Sequence, residues 1–402
     1  MHLPKTFRPR MAFTPSALRC RRVVSQRSYT VDAPTVPSND DERFEVPLHE
    51  KSFEPYKMDS PPLSLETTKK ELKDLYRHLW RIRHMEMAIN RLYLQRKVRG
   101  FCHLSIGQEA VAVGIEHGIS RDDKLITAYR CHGNVLMRGA APREVIGEVL
   151  GRREGVARGK GGSVHMYYKN FYGGNGIVGA QVPIGAGLAF AQQYLNTKDV
   201  TISLYGDGAA NQGQVFEAFN MAKLWNLPVI FGCENNMFGM GTSAARSSAS
   251  VEYFKRGQYI PGLKIDAMNV LAVLAAVKYG KEYVLSNGPL VYEFACYRYF
   301  GHSVSDPGTT YRTRDDIQAV RKMQDPINNF HAKLSSWGIA DEEELKKIEK
   351  DEKAMIEQEV VEAEKMPFPD VSPRILFEDS YVRGSEPLYV RGRTPEETFY
   401  FE

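Results

Sequence analysis

Two short polar motifs follow apolar segments that are separated by one predicted helix. The β-prone segment 200–205 ends in Gly-Asp-Gly at 206–208, and the apolar segment 228–233 ends in Glu-Asn-Asn at 234–236. Both segments have the composition of buried strands. Residues 209–225 have the apolar spacing of a helix, so the region predicts a strand–helix–strand unit. The residues predicted to share one face of this helix are Val215, Phe216, Phe219, Ala222 and Leu224.

The two motifs are expected to form one binding site. A right-handed crossover makes the two strands parallel, so their carboxyl ends meet at one edge of the sheet and Asp207 and Asn236 face one crevice. A carboxylate and an amide oxygen suit Mg²⁺, which keeps other coordination positions for water and phosphate. A helix that begins at Ala209 would add free backbone N–H groups for an anion. The pattern predicts a metal-bound polyphosphate; an ordinary α/β unit in which Gly-Asp-Gly is only a turn is the alternative.

Composition and length indicate a globular protein. The chain has 402 residues, 43% of them hydrophobic, and can bury a sizeable core. Its longest apolar stretches, 182–191 and 269–277, are shorter than the roughly 20 residues that a bilayer requires, so no membrane span is predicted. The five cysteines show no CxxC and no Cys/His metal spacing, which favours a reducing compartment and small buried thiols.

The net charge of +4 comes from the amino terminus. Residues 1–30 contain seven Lys and Arg residues and no Asp or Glu, and without those seven, 46 basic residues face 49 acidic ones. The charge therefore gives no reason to predict nucleic-acid binding. An acid-free segment with many Arg and Ser residues is typical of a mitochondrial transit peptide, and a disordered basic tail is the alternative. We predict a transit peptide over residues 1–30.

The segments after the presequence differ in pattern. Residues 31–62 are rich in Pro, Ser and acidic residues and predict an extended linker or surface arm. From residue 64 to about Gln95 the apolar spacing is helical, and a second helix is predicted over Glu109–Gly118. The apolar residues of the first helix are Leu72, Leu75, Leu79, Ile82, Met85 and Ile89.

The carboxyl-terminal part contains one further strong pattern. Residues 341–364 form a charged helical stretch with sparse apolar positions, which predicts a solvated or subunit-facing helix. The apolar positions are Leu345, Ile348, Met355, Val360 and Val361. The binding domain is predicted to span residues 63–370, and residues 371–402 form a tail without an assigned role.

Other candidate ligands stand at the ends of two further predicted strands, where open parallel sheets bind ligands. One strand leads to Tyr129 and Arg130, and the strand at 290–296 leads to a loop with His302. Arg130 has a permanently charged fork that suits phosphate oxygens, and the Tyr129 hydroxyl is a neighbouring donor. His103 lies in a glycine-bracketed loop, where a surface or capping histidine is the interpretation that the residues alone favour.

Two glycine-rich segments, 159–162 and 173–179, predict close approach of the backbone to another group, or sharp bends. A third segment, 185–190, resembles the GxGxxG motif of dinucleotide-binding proteins in its first two glycines. Its third glycine is replaced by Phe190, and no acidic residue follows at the ribose spacing. We therefore interpret 185–190 as part of a helix that packs closely through its glycines.

Several of these motifs resemble those of the thiamine diphosphate-dependent 2-oxo acid dehydrogenases, and most closely the α subunits of the first (E1) component of mitochondrial pyruvate dehydrogenases. The resemblance covers roughly residues 64–370. It implies an α/β thiamine diphosphate-binding fold with a mostly parallel sheet and helices on both faces. The matching stretches are GFCHLSIGQEA at 100–110, the glycine-rich segments 159–162 and 173–179, the GDG and NN motifs at 206–236, and YRYFGHSVSDPG at 297–308.

The resemblance also implies roles for single residues. The metal ligands implied for Mg²⁺ are Asp207, Asn236 and the backbone carbonyl of Phe238. The residues implied to bind thiamine diphosphate are Tyr129, Arg130, Gly176, Val178, Asp207, Gly208, Ala209, Asn236 and His302, with Gly176 and Val178 acting through main-chain groups. The residues implied on the substrate side, as catalytic residues, are His103 and His302. Ser105 and Ile106 depart from the usual form of the His103 segment, so their contacts remain open.

Three hydroxyl groups match the family's inhibitory phosphorylation sites. Ser303 matches the principal site. Ser243 and Thr310 match the other two, and Thr310 occupies a position where the family has a serine. Close to two negative charges on Ser303, beside a bound diphosphate and a channel for an acidic substrate, would repel both and disorder the loop.

The function that the resemblance implies is the oxidative decarboxylation of pyruvate and transfer of the acetyl group to the lipoyl group of the E2 component. The chain shows no second domain that could supply a carboxylate to the aminopyrimidine ring, which implies a β subunit and an α₂β₂ heterotetramer. A lipoyl domain, a regulatory kinase and a phosphatase are the other implied partners. The implied location is the mitochondrial matrix.

Three alternatives remain open at this point. A branched-chain 2-oxo acid dehydrogenase α subunit has the same architecture, although the YRYFGHSVSDPG stretch favours pyruvate. A non-catalytic regulatory subunit would keep the fold and tolerate loss of the metal ligands. A Rossmann dehydrogenase is disfavoured by the broken glycine motif at 185–190.

Overall fold

The computed structural model describes residues 33–371 together with Asp379 and Ser385. The predicted transit peptide and nearly all of the tail after residue 371 lie outside the described residues. The strands are β1 (Phe44–Pro47), β2 (Phe53–Tyr56), β3 (Ser64–Thr67), β4 (Lys124–Ala128), β5 (Phe171–Asn175), β6 (Thr201–Gly206), β7 (Val229–Asn235), β8 (Phe238–Gly239), β9 (Thr242–Ser243), β10 (Gly262–Asp266) and β11 (Leu290–Ala295). The α-helices are α1 (Lys69–Leu94), α2 (Glu109–Gly118), α3 (His132–Met137), α4 (Pro142–Val149), α5 (Gln181–Tyr194), α6 (Gly213–Leu224), α7 (Ala244–Ser247), α8 (Val270–Asn287), α9 (Arg314–Gln324), α10 (Pro326–Ser336) and α11 (Glu342–Lys365).

The main sheet of the described chain has seven strands in the order β2-β10-β11-β7-β6-β4-β5. Every neighbouring pair is parallel except β2 and β10, which are antiparallel. The strands β6 and β7 are direct neighbours, with Gly206 paired with Glu234. The predicted α/β class, the mostly parallel sheet and the strand–helix–strand unit are therefore confirmed.

Two hydrophobic cores lie on the two faces of this sheet. Side chains alternate between the faces along a strand, so Ile230 of β7 belongs to one core while Val229 and Phe231 belong to the other. The larger core contains apolar residues of α1, α2 and α8, and the smaller core contains those of α5 and α6. Helices thus cover both faces, as predicted, and the carboxyl ends of the strands stay free to carry ligands.

The described part of the predicted arm, residues 33–62, lies against the edge of the domain. β1 pairs with β3, and β2 extends the main sheet beside β10. Pro55 lies in β2, and an edge strand tolerates proline because one side of its backbone makes no ladder hydrogen bonds. Residues of this segment thus pair with strands of the domain, while the arm at 31–62 and the domain boundary at residue 63 remain predictions.

Helix α1 has the predicted buried face, since all six of its predicted apolar residues are buried, and it ends close to the predicted Gln95. The predicted start at residue 64 is wrong, because Ser64–Thr67 form β3 and Thr68 caps a helix that begins at Lys69. Helix α11 differs in its buried residues, because Val361 is half exposed whereas Ile356 and Ala363 are buried. It packs on α1 through buried apolar residues and an ion pair in which Arg81 donates to Glu352 over 2.8 and 3.0 Å. Helix α11 is thus packed against its own domain.

The helix between the two motifs begins later than predicted. Residues 209–211 form a 3₁₀ turn, and α6 starts at Gly213 rather than Ala209. Its buried face contains Ala218 in place of the predicted Phe216 and Leu224, which are both exposed. The free backbone N–H groups after Gly208 therefore belong to a tight turn and not to the first turn of a long helix.

The second glycine-rich segment is partly a strand. Residues 171–175 form β5 at the edge of the main sheet, parallel to β4. A Cβ atom on Gly174 would lie 2.1 Å from the Val164 carbonyl oxygen, so close backbone approach is the reason for this glycine. Gly185 of α5 packs closely on Ser203 as predicted, whereas Gly187 faces open space.

Two expectations from composition hold for the described residues. The four cysteines in that range are buried and form no disulfide. No helix within it combines the length and the hydrophobicity that a bilayer crossing requires.

Candidate cofactor and substrate site

The polar residues that follow β6 and β7 line one cavity at the carboxyl edge of the sheet. Asp207 follows β6, Asn236 follows β7, and both line a cavity of about 240 Å³. Gly208, Ala209 and Phe238 line the same cavity. The structure therefore brings together the residues that the two motifs predicted to meet.

Asp207 carries an unsatisfied buried carboxylate. The side chain is 2% exposed, and its Oδ2 atom has no hydrogen-bond partner within the described chain. Burial is the main cause that raises the pKa of Asp207 to about 6. A buried carboxylate oxygen without a partner is unfavourable, and a bound cation would relieve this penalty.

Asn236 is oriented by its neighbours. Its Nδ2 donates to Oε1 of Gln108 over 3.3 Å, and its Oδ1 accepts from the backbone N–H of Phe238 over 3.3 Å. The intervening residue, Met237, has a positive φ of 73°, which permits the sharp turn after β7. Gln108 was not singled out from the sequence, because a glutamine before a helix has no distinctive local signal.

The donor set in this cavity consists of oxygens. It comprises one carboxylate, one amide and the backbone carbonyls of the turn at 237–239, which is the type of set that binds hard divalent cations. The described residues contain no cluster of three or more His, Cys, Asp or Glu side chains suited to a metal. A zinc-type site built from such side chains is therefore not present in the described range.

Arg130 lies beside the same cavity and links two loops. It follows β4, is buried, and donates from Nη1 to the Leu104 carbonyl and from Nη2 to the His302 carbonyl over 3.1 Å. Two of the guanidinium nitrogens of Arg130 thus already donate to backbone carbonyls, and these donors are not free to bind phosphate. Arg130 therefore fixes the His103 loop and the His302 loop relative to the cavity, in addition to bringing positive charge to it.

Two charged residues of this cavity were missed from the sequence. Burial raises the pKa of Glu234 to about 7. Burial, together with the charge of Arg130, lowers the pKa of Arg298 to about 10. Arg298 is fully buried and donates to the carbonyls of Met240 and Phe300 over 3.2 and 3.1 Å. Glu234 lies in the Glu-Asn-Asn motif and Arg298 in the YRYFGHSVSDPG stretch, but no local signal marks either as a buried charge, because the cavity forms only where separate strands meet in the folded chain.

A second, larger cavity of about 810 Å³ adjoins the first. The two cavities share the lining residues Tyr129, Met240 and His302. His103 and Gly176 line only the larger cavity, whereas Val178 lines the smaller one. The Val178 carbonyl accepts from Nε2 of Gln214 over 3.2 Å, so this main-chain group already has a partner in the structure.

Three rings cluster where the cavities meet. The ring centroid of His103 lies 4.4 Å from that of Tyr129 and 5.1 Å from that of His302, and the Tyr129 and His302 centroids are 5.5 Å apart. The pKa of His103 is lowered to about 3 and that of His302 to about 4. In both cases burial is the main cause, and the positive charge of Arg130 is the second. Both imidazoles are neutral at pH 7, and in that form each can accept or donate a proton.

The first glycine-rich segment forms one wall of the larger cavity and encloses a buried carboxylate. Oε2 of Glu148 in α4 accepts from the backbone N–H groups of Ala157 and Gly159, both over 2.8 Å. Oε1 of Glu148 accepts from those of Gly161 and Gly162 over 2.8 and 3.0 Å. The group that the backbone was predicted to approach closely is therefore the Glu148 side chain.

Replacement of Glu148 by Ala is expected to destabilise the fold by about 2–4 kcal/mol, because four backbone donors lose their acceptor. Thermal unfolding of the full chain measures the change. Glu144→Ala in the same helix is the matched control, since among the described residues Glu144 accepts only the Ala141 N–H, over 2.7 Å, and about 0.5–2 kcal/mol is expected there. Equal destabilisation by the two substitutions would contradict the role assigned to Glu148.

The three predicted phosphorylation sites occupy different environments. Ser303 is buried in the wall of the larger cavity, and its Oγ lies 2.9 Å from Oγ of Ser305. Thr310 lines the same cavity and is exposed. Ser243 lies in β9, paired with Phe238, and lines neither cavity. Their modification remains a prediction.

Comparison with known proteins identifies relatives along most of the chain. A family model described as "Dehydrogenase E1 component" matches residues 77–372. A Chaetomium thermophilum protein named "Pyruvate dehydrogenase E1 component subunit alpha, mitochondrial" is 60% identical over 388 residues, which is 96% of this chain and 94% of that protein. The Schizosaccharomyces pombe protein of the same name is 56% identical over 375 residues (91% and 92%). A Caenorhabditis elegans protein named as a probable member of the same group is 52% identical over 358 residues (88% and 89%).

Proposed function

The chain belongs to the dehydrogenase E1 component family, and from this premise we propose that it is the α subunit of a mitochondrial pyruvate dehydrogenase E1 component. In this role it acts in the oxidative decarboxylation of pyruvate and in transfer of the acetyl group to a lipoyl group of E2. The single observation that carries the proposal is the cavity in which Asp207 and Asn236 meet at the ends of β6 and β7. Identity above 50% to relatives named for this subunit supports pyruvate as the substrate.

Membership in the family implies dependence on thiamine diphosphate, and the residues of the smaller cavity fit this group. Asp207 offers a buried carboxylate oxygen without a partner in the described chain, and Asn236 and the Phe238 carbonyl offer neutral oxygens. We assign Mg²⁺ to these three ligands, and the backbone N–H groups after Gly208, with Tyr129 and Arg130, to the diphosphate. When bound, the cofactor supplies a carbanion that adds to the keto carbon of pyruvate and an acceptor for the electrons left as CO₂ departs.

The chain's own residues bind and orient the reactants. His103 and His302 lie where the two cavities meet, so substrate in the larger cavity is adjacent to the cofactor pocket. Their neutral imidazoles can donate a hydrogen bond to the substrate or hold a proton near the reacting carbonyl. Arg130 maintains both loops in place through the carbonyls of Leu104 and His302.

A β subunit completes the site. We infer that it supplies the carboxylate for the aminopyrimidine ring and that the assembly is an α₂β₂ heterotetramer. The outer faces of α5 and α6 and the residues after them carry large apolar side chains that are 45–82% exposed, which suits a protein interface. These residues are Ile184, Phe190, Tyr194, Leu195, Leu224 and Trp225.

The remaining partners follow from the same proposal. The larger cavity has room for a lipoyl arm of E2 as well as pyruvate, and Ser303 in its wall is the residue that we propose as the main target of a regulatory kinase and phosphatase. The relatives are named as mitochondrial, and we propose the matrix as the location, with residues 1–30 as the transit peptide.

Co-expression with a β subunit tests the function. The assembled complex, titrated with thiamine diphosphate in the presence of Mg²⁺, is expected to decarboxylate pyruvate with a kcat/KM at least about tenfold above that for 3-methyl-2-oxobutanoate, since extra methyl groups change binding in a fitted pocket by about 1–3 kcal/mol. A preference for 3-methyl-2-oxobutanoate would indicate the branched-chain enzyme. A complex that binds the cofactor and turns over neither substrate would indicate a non-catalytic subunit.

A further inference from the structure

A second buried carboxylate, Glu86, lies in the middle of α1 behind the His103 loop. The residue is charged but fully buried, on the same side of α1 as the buried apolar residues. Its Oε1 accepts from the backbone N–H and the hydroxyl of Ser105 over 3.0 and 2.7 Å. Burial raises the pKa of Glu86, but the charge of His132 and the hydrogen bonds from His132 and Ser105 outweigh burial, so the pKa is lowered.

Glu86 also links the His103 loop to the segment of the larger cavity's wall that contains Ser163. The Nδ1–H of His132, which is fully buried in α3, donates to Oε2 of Glu86 over 2.9 Å. The other ring nitrogen of His132 lies 2.9 Å from Oγ and 3.1 Å from the carbonyl oxygen of Ser163. Ser163 lines the larger cavity directly after the glycines that Glu148 binds. A continuous buried chain of hydrogen bonds therefore runs from Ser105 through Glu86 and His132 to Ser163.

The His103 segment is held at two consecutive residues. Arg130 binds the Leu104 carbonyl, and Glu86 binds both polar groups of Ser105. The imidazole of His103 has no hydrogen bond on Nδ1 within the described chain, so its position depends on its backbone and on contact with the neighbouring rings. A group that fixes residue 105 therefore determines where the His103 ring lies.

We propose that Glu86 is a positioning residue that acts through Ser105 to place His103 on the substrate side of the active site. The proposal rests on the proposed function, because it assumes that His103 acts on pyruvate. A buried carboxylate that served only the stability of α1 would need a cation or helix donors, whereas every hydrogen bond of Glu86 in the described chain is made with Ser105 or His132.

The test uses the assembled α₂β₂ enzyme with thiamine diphosphate and Mg²⁺, and a double-mutant cycle of Glu86→Gln and His103→Ala. Glutamine keeps the shape, but it removes the charge that strengthens both hydrogen bonds from Ser105 and places an NH₂ donor against the Nδ1–H of His132. We expect Glu86→Gln to lower kcat/KM for pyruvate about tenfold while the Kd for thiamine diphosphate changes by less than about twofold. In the His103→Ala background, Glu86→Gln is expected to change kcat/KM by less than about twofold, because the residue through which it acts is gone.

A matched control separates positioning from stability. Glu352 is also a buried, ion-paired carboxylate that contacts α1, through Arg81, and it lines neither cavity of the site. Glu352→Gln is expected to lower the Tm and leave kcat/KM unchanged. If the Glu86→Gln subunit does not assemble with β, Ser105→Ala takes its place in the double-mutant cycle with His103→Ala. This substitution removes one of the three hydrogen bonds of Glu86, and the same coupling to His103→Ala is expected.

Three results would overturn the proposal. They are multiplicative effects of the two substitutions, an unchanged kcat/KM in Glu86→Gln, and an unchanged kcat/KM in His103→Ala. A wild-type complex that binds the cofactor but does not decarboxylate pyruvate is a different result, since it contradicts the proposed function itself and removes the reaction on which the role of Glu86 depends.

Discussion

Replacement of Asp207 by Ala is expected to abolish Mg²⁺-dependent binding of thiamine diphosphate and, with it, pyruvate decarboxylation. Asp207 is the only anionic ligand among the three groups that we assign to the metal, and its free oxygen is buried in the cavity. Loss of a group that merely orients a metal ligand typically lowers metal affinity 10- to 100-fold, so loss of the charged ligand itself is expected to lower it by at least about 100-fold. Isothermal titration of the purified α–β complex with thiamine diphosphate, with and without Mg²⁺, measures this change.

Two further variants test whether the loss of cofactor binding is specific to the carboxylate of Asp207. Asp266 ends β10 in the same sheet and lines neither cavity of the site, so Asp266→Asn is expected to keep cofactor affinity within about threefold. Asp207→Asn is expected to fold at least as well as the wild type without cofactor, because it removes a carboxylate whose pKa burial raises to about 6. Decarboxylation that survives in Asp207→Ala would refute the metal assignment.

Replacement of Ser303 by Glu is expected to lower kcat of the assembled enzyme at least about 100-fold. The Ser303 side chain is buried and is adjacent to His302, whose backbone N–H donates to Oδ2 of Asp306 over 2.7 Å. A carboxylate at position 303 would therefore be desolvated and close to a second carboxylate, so the loop must leave its place in the cavity wall. The His302 ring would move with it. Steady-state pyruvate decarboxylation and limited proteolysis of the loop measure the two effects.

Two matched controls accompany Ser303→Glu. One removes the Ser303 hydroxyl without adding a charge, and the other adds the charge at a different position. Ser303→Ala removes only the hydrogen bond to Ser305 and is expected to keep kcat within about fivefold. Ser243→Glu places the same charge in β9, outside both cavities, and is expected to inhibit less than Ser303→Glu. Equal inhibition at the two positions would contradict the loop-based explanation.

The strand–helix–strand unit and its two ligands could be predicted from the sequence because their signals are local. Apolar runs, the Gly-Asp-Gly turn and the right-handed crossover rule together determine that Asp207 and Asn236 meet at the edge between β6 and β7. The start of α6 could not be predicted in the same way. Periodicity does not distinguish a 3₁₀ turn at 209–211 from the first turn of a helix that begins at Gly213.

The residues that support the site were largely missed for a different reason. Glu86, Glu148 and Arg298 are charged residues in a helix or after a strand, and taken alone each one fits a solvated surface. The partners of Glu86 and Glu148 are at least nine residues away in sequence, and the Ser105, His132 and Ser163 contacts join four separate segments. Only the folded chain shows that these charges are buried and paired.

One divalent cation, held between the ends of β6 and β7, is central to the proposed function. A crystal structure of the α–β complex grown with thiamine diphosphate and Mn²⁺, with anomalous data at the manganese edge, locates this cation directly. The expected result is one peak per α subunit, within about 2.0–2.3 Å of the Asp207 and Asn236 side-chain oxygens and of the Phe238 carbonyl. A bound cofactor whose metal lies away from Asp207 and Asn236 would contradict it.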